Sequence, residues 1–165
     1  DTVSTIRGQG PPPKNIGLLY DWHAERQHQA VVHADRPTDI APNLGTSFSG
    51  SQLATLVAET SAWLAAAGTT YGARVAIVKD NHLDVQILAA AVARIGGLPG
   101  TISALNRTDD IVIMLQKLDP SVIVIGCRTF EQISQVNNYP LSHRPHVVLG
   151  AARTAANKNH EPSNQ

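Results

Sequence analysis

The strongest constraint on this chain is a run of four β-branched residues, Val122-Ile123-Val124-Ile125. A strand that is apolar at every position, and not only at alternate ones, must be covered on both faces. That is the environment of a parallel sheet flanked by helices. Its neighbours repeat the theme. Arg74-Val75-Ala76-Ile77-Val78 reads as a strand, Thr101-Ile102-Ser103 as a weaker one, and His146–Leu149 as another. Helical patterns separate them: from about His82 to Ile95 behind Asn81 as N-cap, from Asp109 to Leu118 behind Thr108, and around Thr129–Val136. Strand centres recur about every 22–26 residues, the length of a βα unit and not of a solenoid repeat. The alternation predicts an α/β fold with a mostly parallel sheet flanked by helices.

A smaller unit precedes it. Ile16, Leu19, Tyr20 and His23 recur at helical spacing after Asn15, a good N-cap residue. Ala30-Val31-Val32-His33 and Thr46-Ser47-Phe48 read as two short strands, expected to pair as a hairpin across a Pro- and Gly-marked turn region. Ser49 and Gln52 then form a capping-box pattern. Leu53, Leu56, Val57, Thr60, Trp63, Leu64 and Ala67 follow at the spacing of one helix face, and Gly68 supplies a left-handed stop. On that stripe Trp63 is expected in the core. The predicted organisation is a flexible lead-in over 1–14, one incomplete α/β unit over 15–150, and a polar, disordered tail over 151–165, in which no apolar side chain is larger than alanine.

Composition removes several function classes. Lys plus Arg and Asp plus Glu are 13 each, and basic residues do not cluster, so no electrostatic grip on nucleic acid or anionic lipid is expected. A single cysteine, Cys127, excludes an internal disulfide framework and a Cys-rich zinc site. The longest apolar run, Ile87 to Ala93, falls far short of the ~20 residues of a membrane span. No apolar stretch opens the chain, so a cytoplasmic protein without a secretory signal is expected.

Motifs with chemistry are scarce. Phosphate binding at a strand-to-helix turn needs glycines that let backbone amides approach the anion. The turns here read Lys79-Asp80-Asn81-His82, Ala104-Leu105-Asn106-Arg107 and Gly126-Cys127-Arg128-Thr129, without GxGxxG or GxxxxGK[ST]. Gly96-Gly97-Leu98-Pro99-Gly100 runs from a helix into a strand and reads as a helix stop and tight turn. Cys127 reads as an inert small residue at a strand end. His23, His28 and His33 are spread too widely on a helix to share a metal, and His143 and His146 flank Pro145, so each reads as a satisfied polar residue. Asp109 and Asp110 complement a helix dipole. No catalytic, cofactor-binding or metal residue is assigned.

Taken together, residues 15–126 resemble the opening of an adenylate-forming (AMP-binding) enzyme of the acyl-CoA synthetase-like superfamily. The family's phrase L-T-Y-x-E-L appears as Thr46-Ser47-Phe48-Ser49-Gly50-Ser51-Gln52-Leu53. G-x-x-x-G-D-R-V-A appears as Gly68-Thr69-Thr70-Tyr71-Gly72-Ala73-Arg74-Val75-Ala76, with Ala73 where Asp is usual. P-N-S-P-E is reduced to Asp80-Asn81-His82-Leu83-Asp84. R-A-G-A-V-P-V-P-L-N-P appears as the stretch from Arg94 to Ala104.

The resemblance implies the N-terminal subdomain of an AMP-dependent ligase. Such enzymes join a carboxylic acid to ATP as an acyl-adenylate, with magnesium assisting, and many then form a coenzyme A thioester. The family's Ser/Thr/Gly-rich phosphate loop lies later in the chain, so the resemblance implies no catalytic position here. A piece inactive alone and prone to self-association is expected. The alternatives are a free-standing α/β module for a small ligand and a truncated, non-catalytic remnant.

Overall fold

The computed structural model describes residues 13–26 and 31–136, and the backbone of 146–149. The lead-in, apart from Pro13 and Lys14, and the tail 151–165 lie outside the described residues, as do His28 and His143.

A single 3-10 turn, Ile16–Leu18, opens the described chain, with the Asn15 side chain accepting from the Gly17 amide. It leads into α1, Leu19–Ala24. Strands β1, Val31–His33, and β2, Ser47–Ser49, pair antiparallel as expected, with Val32 opposite Phe48. The long helix α2, Gly50–Ala66, begins at Ser49, whose hydroxyl accepts from the Gln52 amide while the Gln52 side chain accepts from the Ser49 amide. Its buried side is Leu53, Leu56, Val57, Thr60, Ser61 and Leu64. Trp63 departs from the expectation: it is 37% exposed and belongs to the rim. The buried stripe is rotated away from Trp63 toward Ser61, which lies inside and bonds the carbonyls of Val57 and Ala91.

The main sheet has four parallel strands in the order β4-β3-β5-β6. They are β3 (Arg74–Lys79), β4 (Leu98–Ser103), β5 (Val122–Gly126) and β6 (His146–Leu149). The connecting helices are α3 (Leu83–Arg94), α4 (Thr108–Leu118) and α5 (Cys127–Ser134). Because side chains alternate across a strand, Val75, Ile77, Val122 and Val124 join α2 and α3 in one core. Ala76, Val78, Ile123 and Ile125 join α4 and α5 in the other. Both central strands are thus covered on both faces, as their unbroken apolar runs require. Full burial of each large side chain contributes roughly 1.5–3 kcal/mol.

Several boundaries differ from the sequence reading. Helix α4 begins at Thr108 behind Arg107, and not at Asp109 behind Thr108. His82, not Asn81, is the N-cap of α3. Helix α5 starts at Cys127, two residues earlier than expected. Strand β4 starts at Leu98, so the glycine cluster is a turn only at its first part, where Gly96 adopts φ 77°. Pro99 is tolerated because, among the described residues, β4 pairs only with β3. Amides of Leu98 and Ala104 donate to β3 and its flank, so in this pleat the nitrogen of Pro99 faces away from the ladder. Gly100 packs where a Cβ would meet the Leu118 side chain at 2.5 Å.

Candidate functional site

The order of the strands decides where a ligand fits. From β3 the chain steps outward to β4; from β5 it steps the opposite way to β6. Such a reversal opens a crevice beyond the carboxyl ends of the two strands, the usual ligand position in open α/β sheets. A crevice of about 460 Å³ lies there. Lys79 and Asp80 enter it from β3, Leu105, Asn106 and Arg107 from the turn after β4, and Cys127, Arg128 and Thr129 from the start of α5. Neither α4 nor α5 has a side-chain cap, so the positive ends of two helices meet the crevice beside two arginines.

Its fourth wall is Asp39, from the segment between β1 and β2. A buried charge cluster holds that segment. Asp84, 1% exposed in the first turn of α3, accepts from the amides of Asp39 at 3.1 Å and Ile40 at 3.3 Å. The His82 ring lies between Asp84 Oδ2 and the Arg36 carbonyl, at 3.0 Å from each. Lys79 pairs with Asp39 and lies 3.6 Å from Asp84 Oδ2. The Lys79 side chain is only 6% exposed and shared by two carboxylates. Burying an ammonium is tolerable only with such partners.

The other singled-out residues separate. Cys127 is exposed and lines the crevice as the first residue of α5. His33 hydrogen-bonds Ser47 Oγ at 3.0 Å on the hairpin. Asp109 and Asp110 stand in the first turn of α4. Sequence reading missed Asp39, His82 and Asp84. The available signal was Lys79, a cation directly after the apolar run Val75–Val78, followed closely by His and Asp.

Comparison with known proteins now bears on this sheet and its crevice. The AMP-binding enzyme family matches residues 20–164. The chain belongs to that family. This AMP-binding chain is 39% identical over 106 residues to "3-amino-2-hydroxy-4-methoxybenzoate diazotase" of Streptomyces cremeus, covering 63% of the chain and 19% of that protein. Its fold matches the N-terminal domain of FACL13 from Mycobacterium tuberculosis with a TM-score of 0.69 at 19% identity, over 84% of this chain and 34% of that one. It also matches the anthranilate CoA ligase AuaEII, determined with anthranoyl-AMP, with a TM-score of 0.67 at 12% identity, over 84% and 25% respectively. The chain thus spans about a fifth to a third of the AMP-binding proteins it resembles. Among the described residues no helix is long and apolar enough to cross a membrane, and no group of His, Cys, Asp and Glu is placed to hold a metal.

Proposed function

We propose that this chain supplies the opening α/β part of an enzyme that activates a carboxylic acid with ATP, giving an acyl-adenylate and pyrophosphate, with coenzyme A as the acyl acceptor. The family match across residues 20–164 carries this reading. The substrate class is an amino-substituted benzoate, because the diazotase and the anthranilate ligase are both named for such acids. The part of the work that falls to these residues is scaffolding plus one wall of a polar crevice. Arg107 and Arg128 suit an anionic group there; Lys79, already paired, does not. Asp39 and Asp84 do not fit a magnesium site, since they are committed to Lys79, His82 and backbone amides. No step is assigned through the metal. The reading places the enzyme in the cytoplasm. It also has the chain alone self-associating, since Leu98, Leu105, Ile113 and Met114 stand exposed on and beside β4 and α4.

The 39% relative favours a second reading, in which the complete enzyme activates a nitrogen donor for diazotising an aryl amine. The coding sequence after Gln165 and an exchange assay on the complete gene product separate the readings. A downstream Ser/Thr/Gly-rich stretch with lysine, and aminobenzoate-dependent exchange of pyrophosphate into ATP, support carboxylate activation. Turnover that requires nitrite supports the second. A stop codon after Gln165 with no exchange overturns both and leaves a binding module or a remnant. Residues 1–165 alone are expected to give no heat on titration with Mg-ATP, since no glycine-rich turn lets their backbone close around phosphates.

A further inference from the structure

Cys127 is the chain's one cysteine, exposed, and the first residue of α5. A thiol alone makes no site; what surrounds this one does. Gly126, the N-cap of α5, has no side chain to accept from the opening amides of the helix, and no other side chain caps them. Thr129, two residues on from Cys127, is only 7% exposed and lines the crevice. Other buried threonines are satisfied: Thr60 donates to the Leu56 carbonyl at 2.7 Å, and Thr38 accepts from the Ala41 amide at 3.2 Å. Among the described residues the Thr129 hydroxyl has no such partner. A hydroxyl buried this deeply without a bond is costly. Here it borders a cavity of about 460 Å³, from which a ligand can supply the bond.

The charge around the thiol favours an anion. Lys79 and Asp39 line the crevice as an ion pair and offset each other. That leaves one carboxylate, Asp80, against Arg107 and Arg128. Arg107 reaches Asp109 only at 4.0 Å, between exposed side chains, and Arg128 makes no ion pair among the described residues. The opening amides of α5 add partial positive charge.

We infer that Cys127 is a modification site, at which a negatively charged, low-molecular-weight disulfide forms a mixed disulfide inside the crevice. Arg107, Arg128 and the Thr129 hydroxyl hold the anionic end and so keep the reagent's S–S bond beside Sγ. The Cys127 thiol gives up its proton, and its sulfur attacks one sulfur of the reagent. The old S–S bond breaks as the new one forms, and the departing sulfur leaves as a thiolate that takes up a proton. Cys127 is oxidised and half of the reagent is reduced, so the electrons balance with no other reactant. A free thiol reverses the exchange. None of this depends on which acid the complete enzyme activates.

Three disulfides of similar size test the site on the wild-type chain: dithiodipropionate, a dianion; bis(2-hydroxyethyl) disulfide, neutral; and cystamine, a dication. Rates at Cys127 are read by peptide mass spectrometry and divided by those of the same chain in urea, which removes the reagents' own differences in reactivity. The corrected rate should be about tenfold higher for the dianion than for the neutral disulfide, and lowest for the dication. Arg107→Gln with Arg128→Gln should bring the three together, and both side chains are exposed, so the fold is kept. Thr129→Val should lower the dianion's advantage about threefold, and Thr129→Ser should restore it. Equal corrected rates for the three disulfides, or a preference for the dianion that survives loss of both arginines, overturns the proposal.

Discussion

At the amino ends of β3, β4 and β5, each helix-to-strand connection closes with a left-handed residue: Gly68 and Gly72 after α2, Gly96 after α3 and Asp119 after α4. Backbone bonds such as Gly72 N–H to Gly96 O at 2.9 Å finish the turns, and the charged pair there, Arg74 with Asp119, is half exposed. At the carboxyl ends no described residue has positive φ. Connections there are held by charge: Lys79, His82 and Asp84 are buried and tie down a segment some 40 residues earlier in the chain. One end is fixed by local backbone chemistry at little electrostatic cost. The other keeps ions out of water, so that a loop from a separate hairpin becomes a wall of the crevice.

The contrast is broken most severely at Asp84. Asp84→Ala leaves the Asp39 and Ile40 amides without their acceptor, takes the carboxylate from beside the His82 ring and leaves Lys79 with Asp39 alone, and should cost about 3–5 kcal/mol in urea unfolding. A cost below about 1 kcal/mol would mean that the cluster is solvated and that both ends are alike. At the opposite end Gly17→Ala should cost about 1–3 kcal/mol, because its Cβ would press into the backbone nitrogen of Arg94 and the backbone oxygen of Ala90. An unchanged midpoint would show that the first turn is not seated on α3.

Gly96→Ala should be milder, about 1 kcal/mol, for its φ of 77°. The Tyr71 ring that its Cβ would strike is 90% exposed and can swing away, so a much larger loss would reveal a fixed ring.

The smallest effect concerns Tyr20, outside both ends. Burial pushes its hydroxyl above the ordinary value of 10.0. A raised acid keeps its contribution to stability below the unfolded value and loses it as pH climbs through the folded one. Any instability from this group is thus confined above about pH 10. Tyrosinate absorbance of the wild-type chain against Tyr20→Phe should assign to Tyr20 a transition above about pH 10; a transition at or below that value would place Tyr20 in water.

The same division explains what could be read from the residues alone. Gly68, the Ser49–Gln52 cap and the run Val122–Ile125 act through spacing of a few residues, so strand order apart, the sheet and its helices were legible. Pro99 misled, because only pairing on one side makes it a strand residue, and that depends on which strand lies at the edge. Trp63 misled because Ser61 took the inner place by bonding Ala91, a residue 30 positions on. The crevice was illegible for the same reason: Asp39 meets Lys79 across 40 residues, and the Arg36 carbonyl meets His82 across 46. No local pattern records those encounters.

A pair of double-mutant cycles tests the difference between the two ends most directly. One cycle takes His82→Ala with Asp84→Ala; the other takes Arg74→Ala with Asp119→Ala. Buried, charge-assisted bonding at the carboxyl end predicts a coupling of about 1.5–3 kcal/mol for the first. Solvent screening holds the second to about 0.2–1 kcal/mol. Equal couplings, or a first cycle that closes to within about 0.3 kcal/mol, would contradict a crevice wall held in place by buried charge.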